Sequence, residues 1–120
     1  PTLLPYTTLF RSDADARGLM DLVIEEAFAV ARASGVRVRW VAAADYQAHF
    51  YGALVPATAG HRSSMLQDLE RGRPTEIDAI NGWVAARGAA RGVPVPVNTT
   101  LTRLVHACAR RATEEQRCRL

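Results

Sequence analysis

The tightest constraint on this chain is a helical spacing of apolar residues interrupted by glycine and proline. Leu19, Met20, Val23, Ile24, Ala27, Phe28 and Ala31 recur at intervals of three and four, which puts them on one stripe of a helix. Gly35 follows where a helix end favours glycine. Residues 37–41 are β-like in composition but short, and read as an extended connector. Residues 43–54 read as a second helix with Tyr46, Phe50 and Leu54 on one face, and Pro56 and Gly60 end that region. Ser64 starts the next helix, as a capping box with Gln67. Gly72 and Pro74 stop it. A long helix is expected over residues 75–91, capped by Thr75 with Asp78 as its reciprocal partner, its apolar face formed by Ile77, Ile80 and Val84. Gly92 terminates it, and residues 93–96, Val-Pro-Val-Pro, form a spacer. Asn98 is the expected N-cap of a last helix bearing Leu101, Leu104, Val105 and Cys108. Beyond Arg111 the apolar pattern fades, so a frayed tail is expected over residues 112–120. About five helices and at most one strand make an all-α domain, with helical hairpins packed around residues 75–91.

Composition agrees. The chain has 120 residues, one domain's worth, with 48% hydrophobic and 7% aromatic residues. Every one of its 15 basic residues is arginine. Without lysine, no side chain here can form a Schiff base or serve as an amine acid. The net charge of +3 is modest, and its excess lies in Arg110, Arg111, Arg117 and Arg119. No aromatic residue and only one amide, Gln116, punctuates that run, too few for nucleic-acid binding, so a solvated helix end is the reading. Cys108 and Cys118 lack metal or disulfide-framework spacing. Cys108 is expected in the core, and a reducing, cytoplasmic setting fits. No apolar run is long enough to span a membrane, and no signal peptide is evident. Residues 1–12 have no periodicity that fits the helical pattern beginning at Asp13. They resemble translated adaptor sequence, are expected to be non-native, and stand outside the fold argument, which concerns residues 13–111.

Chemistry-bearing motifs are few. There is no Gly-x-Gly-x-x-Gly after a strand, no phosphate-binding loop and no nucleophile elbow. His49, His61 and His106 lack metal-like spacing, so no metal is expected. One polar group stands out in residues 61–82, HRSSMLQDLERGRPTEIDAING. Ser64 and Asp68, four apart, share a helix face. Glu76 follows a Gly-Arg-Pro turn that can fold it back toward Ser64. Structural readings compete: Ser64 as a cap, Glu76 as a first-turn carboxylate complementing the helix dipole, Asp68 as the ion partner of Arg71 or Arg73. Asn81, a poor helix former in mid-helix, points to a tertiary hydrogen bond.

The block Ser63-Ser64-Met65-Leu66-Gln67-Asp68, then Gly72 through Asp78, then Ile80-Asn81-Gly82, resembles the signature of the ketopantoate reductase family. So does Gly92-Val93-Pro94 leading to Pro96-Val97-Asn98 and Leu101. The resemblance implies the helical carboxy-terminal domain of the ketopantoate reductase and 6-phosphogluconate dehydrogenase-like type. It implies NADPH-dependent reduction of 2-dehydropantoate to (R)-pantoate in pantothenate biosynthesis, with NADPH held mainly by a Rossmann domain outside this sequence. Ser64 would then bind the substrate carboxylate, and a hydroxyl at a helix start suits that group. Glu76 would be catalytic and would also face the cofactor. Asp68 would support the cleft and a catalytic lysine, and Asn81 is a further supporting residue. The chain departs from the pattern in having no lysine, so the family's general acid is not here. The expectation is a substrate-binding half that is inactive alone and partnered by a Rossmann domain, with a homodimer as a further partner. Two alternatives remain: the same domain from a reductase of another 2-keto acid, and a non-catalytic helical dimerisation module.

Overall fold

The computed structural model describes residues 13–58 and 63–119, and among them there are helices and no strands. The all-α expectation therefore holds. The expectations for residues 1–12 and for Gly60 lie outside the described residues. The chain divides into two compact units, Pro1–Arg62 and Ser63–Leu120.

In the first unit, α1 runs Ala14–Ala33 and is capped by Asp13, whose Oδ1 accepts the Ala16 N–H at 2.8 Å. It ends with Gly35 at φ +67° and with Val36 N–H donating to Ala31 O at 2.9 Å. Gly72 (φ +65°) and Gly92 (φ +67°) end two later helices with the same six-residue backbone bond, Arg73 to Asp68 and Val93 to Gly88. A left-handed residue there turns the chain while satisfying a terminal carbonyl, and glycine adopts it without steric cost. Residues 36–42 carry no regular structure, as expected of a connector.

Helix α2 (Ala43–His49) is prolonged by a π turn, Phe50–Leu54, and a last turn, Val55–Ala57. This corrects the expectation that the helix ends before Pro56. Proline has no N–H to give the carbonyl four residues back and crowds it. The wider turn relieves this, with Val55 N–H reaching Phe50 O five residues back. The extra residue also rotates the inward face, so Val55 is buried and Leu54 is exposed. Ile24, Val30, Ala31 and Val55 form the unit's buried apolar core. An aromatic group caps it, with Tyr46 centred 4.8 Å from Trp40 and 5.9 Å from Phe28.

The second unit holds α3 (Ser64–Glu70), a 3-10 turn (Ile77–Ala79), α4 (Asn81–Arg91) and α5 (Pro96–Arg119). The single helix expected over residues 75–91 is broken at Ile80, whose ψ of −95° is not helical. Ile77 and Val84 are both buried. They lie seven apart, so the apolar period carries through the break and hides it. Helix α4 packs against α5, and Gly88 lets Val95 approach closely: a Cβ built there would meet Val95 Cγ2 at 2.6 Å. Helix α5 starts at Pro96, so Asn98 is not its N-cap but a buried residue of its first turn. Proline's fixed φ suits the first helical position and sets the start three residues early. The expected frayed tail is helical to Arg119, braced by Arg111 Nε to Glu115 Oε1 at 2.9 Å. Cys108 is exposed on α5 rather than in the core.

Candidate functional site

The Ser-Ser pair at the start of α3 divides its labour. Ser63, not Ser64, is the cap: its Oγ accepts the Leu66 N–H at 3.4 Å. Ser64 occupies the first helical position and is exposed. This corrects the reading of Ser64 as the capping hydroxyl. The shift by one residue leaves the Ser64 hydroxyl uncommitted to the backbone of its own helix.

Asp68, one turn further along α3, is half-buried and pairs with the more exposed Arg73, Nη2 to Oδ1, at 3.1 Å. Arg73 N–H also donates to Asp68 O at 2.8 Å. One residue thus closes the Gly72 turn through both backbone and side chain, and of the two arginines offered by the sequence, Arg73 is the partner. Glu76 follows the turn immediately. It caps the 3-10 turn through its carbonyl, which accepts the Ala79 N–H at 3.0 Å, while its side chain is exposed. Thr75 Oγ1 accepts the Ile77 N–H at 3.4 Å, so it caps this short turn rather than a long helix.

Asp78 and Asn81 are held by α5. Asp78 is not a cap partner: its Oδ1 lies 2.8 Å from Nε2 of His106. Asn81 Nδ2 donates to Oδ1 of the buried Asn98 at 3.0 Å, and Thr102 Oγ1 donates to Asn98 O at 2.7 Å. The tertiary bond expected of Asn81 is therefore present. It lies at the first position of α4 rather than in mid-helix. His106 and Asn98 were missed as partners because they lie 28 and 17 residues from the groups they meet. No local spacing rule reaches that far.

Of the polar residues in this block, Ser63, Asp68, Asp78 and Asn81 are thus engaged in holding the turn and the helix pair. Ser64 and Glu76 present a hydroxyl and a carboxylate to solvent. No group of His, Cys, Asp and Glu among the described residues could hold a metal ion.

A family model described as the carboxy-terminal domain of ketopantoate reductase, PanE/ApbA, matches residues 3–109. The chain belongs to this family. The match begins inside the amino-terminal segment and ends within α5. A 2-dehydropantoate 2-reductase of Aquifex aeolicus is 40% identical over 89 residues, 74% of this chain and 28% of that protein. A ketoisovalerate reductase of Gibberella fujikuroi is 48% identical over 52 residues, 42% of this chain and 12% of its own length. The crystal structure of a PanE/ApbA family ketopantoate reductase from Ralstonia eutropha superposes with a TM-score of 0.74 at 38% identity, covering 91% of this chain and 35% of that one. The chain spans about a third or less of the length of these ketopantoate reductase relatives. The fold of the ketopantoate reductase carboxy-terminal domain is thus shared.

Proposed function

We propose that this chain is the substrate-side helical domain of an NADPH-dependent reductase that converts 2-dehydropantoate to (R)-pantoate. The observation that carries the reading is the division of roles in residues 63–81: Ser63, Asp68, Arg73, Thr75, Asp78 and Asn81 brace the fold, while Ser64 and Glu76 present a hydroxyl and a carboxylate to solvent. The Ser64 hydroxyl is assigned to the substrate carboxylate. Helix α3 has only seven residues and its Leu66 N–H is already taken by Ser63, so the hydroxyl is the principal donor. The Glu76 carboxylate is assigned to accept hydrogen bonds from a substrate hydroxyl and from the cofactor, orienting one against the other. Asp68 keeps Arg73 across the turn and so fixes the spacing between the two ligands, and Asn81 anchors α4 to α5 behind them.

NADPH supplies the hydride when bound. These 120 residues hold no glycine-rich dinucleotide fingerprint, so they do not fit the nucleotide itself. That binding is assigned to a Rossmann domain, and this chain contributes Glu76 at most. A second reading, reduction of another 2-keto acid, is favoured by one observation: a ketoisovalerate reductase is about as similar over some fifty residues as several pantoate-forming relatives. Residues that bind a carboxylate and orient a ketone serve any 2-keto acid, so side-chain selection would rest elsewhere.

The test grafts residues 13–111 of this chain in place of the matching segment of the Aquifex aeolicus enzyme. The graft, once shown to be folded by circular dichroism, is expected to reduce ketopantoate with NADPH. Ser64→Ala should raise KM about tenfold with kcat little changed, as loss of one hydrogen bond to a charged group predicts. Glu76→Gln should lower kcat by about 10²-fold. A folded, active graft indifferent to both changes sinks the assignment. A preference for ketoisovalerate selects the second reading.

A further inference from the structure

A groove in the second unit is not used by the assignments of Ser64 and Glu76. It lies between the Gly72–Pro74 turn and one face of α5, encloses about 430 Å³ and is lined by three guanidinium groups, from Arg73, Arg110 and Arg117. Its walls are packed together: a Cβ at Gly72 would meet Gln116 Oε1 at 2.8 Å, so the Gln116 side chain lies across the turn. Arg73 is shared with Asp68. Arg110 and Arg117 form no ion pair among the described residues, although the neighbouring Arg111 is paired with Glu115. The groove's one lining carboxylate is Glu114, and the Thr113 hydroxyl between the two arginines donates to the Ala109 carbonyl at 2.9 Å, which leaves the guanidinium groups as the donors. The lining charge is therefore positive on balance.

We infer that this groove is a binding site for a small anion carrying more than one phosphate, with Arg110 and Arg117 as its principal ligands and Arg73 at its edge. Arg110 and Arg117 are seven residues apart, two turns or about 10.5 Å along the axis, with the groove between them. That separation suits a ligand with two charged groups better than a single phosphate, and guanidinium forks match phosphate oxygens. No aromatic side chain lines the groove, so there is no platform on which a base could stack, which disfavours single-stranded nucleic acid.

Isothermal titration of the 120-residue chain with inorganic pyrophosphate, at low salt and neutral pH, tests this. One saturable site is expected, at least fivefold tighter for pyrophosphate than for inorganic phosphate. The double variant Arg110→Ala, Arg117→Ala should weaken it tenfold or more, and Arg110→Lys, Arg117→Lys should retain part of the affinity. A control that removes the same charge from α4, Arg87→Ala with Arg91→Ala, should leave binding within twofold. All variants are at exposed positions, and thermal melting verifies that each is folded. Equal weakening by the two alanine pairs would show a diffuse charge effect and overturn the proposal. So would the absence of a saturable site, or equal affinity for phosphate and pyrophosphate.

Discussion

Tyr51 links the two helices of the first unit and does so as a neutral phenol. Its hydroxyl faces the Asp21 carboxylate at 2.7 Å and the Arg17 carbonyl at 3.0 Å, while the Arg17 guanidinium lies 3.9 Å over its ring. Burial pushes its ionisation above the usual tyrosine value. The hydrogen bond to Asp21 and that residue's negative charge push it further, and Arg17 opposes them only in part. A folded-state value above the unfolded one means that the stabilisation is complete below about pH 10 and is lost as pH rises past it. With no lysine in the chain and arginine charged throughout, no side-chain amine titrates in that alkaline window. Tyr51→Phe should cost about 1 kcal/mol at pH 8, the worth of one hydrogen bond. Its deficit should shrink as pH is raised from 9.5 to 11.5, because there the parent's unfolded chain gains by ionising Tyr51 while its folded state holds the phenol neutral, and the phenylalanine variant has no such ionisation. Melting curves of the two proteins that stay parallel across that range would count against the assignment.

Glycines at the element scale make opposite forecasts. Gly88 sits where α4 meets the chain after its own end, and a methyl there would come within 2.6 Å of Val95 Cγ2 and 3.0 Å of the Val93 carbonyl. Gly88→Ala should destabilise by about 1–3 kcal/mol through overpacking, more than the helix-propensity gain restores. Gly18, inside α1, faces open space. Gly18→Ala should stabilise by about 0.5–1 kcal/mol. Urea midpoints that move in the same direction for both would refute this. The same contrast shows what was legible in the sequence. Helix ends were readable wherever the cause is local: the helical pattern beginning at Asp13, and Gly35, Gly72 and Gly92 as stops. Starts were misplaced where two local preferences compete, as when Pro96 outranks Asn98, or Ser63 outranks Ser64. The π turn at Phe50–Leu54 was unreadable because it answers a single proline while the apolar spacing on either side remains helical. Ser64 and Glu76 were picked out by resemblance to the family block, and spacing alone gave them equally good structural roles. Their exposure needed the fold, since it depends on which neighbours Asn98 and His106 engage from α5.

The whole molecule, taken as these 120 residues, carries in Ser64 and Glu76 the hydroxyl and carboxylate that we propose for a 2-keto acid, and little else that reduction requires. Hydride transfer to a ketone needs a bound hydride donor and a proton for the developing alkoxide. The chain has no dinucleotide fingerprint and no lysine. Among the described residues of this unit the histidine is His106, which is engaged with Asp78, on the face of the 3-10 turn that ties it to α5. Holding a substrate without a donor or an acid contributes binding but no lowering of the barrier. The purified 120-residue polypeptide is therefore expected to show no ketopantoate-dependent loss of NADPH absorbance at 340 nm above the rate of the blank. The graft into the Aquifex aeolicus enzyme, assayed in parallel, is expected to be active, with the same Ser64 and Glu76 joined to a nucleotide domain and its acid. A ketopantoate-dependent rate from the polypeptide alone that disappears in Glu76→Gln would overturn this. It would mean that these helices carry a proton donor and a cofactor site of their own.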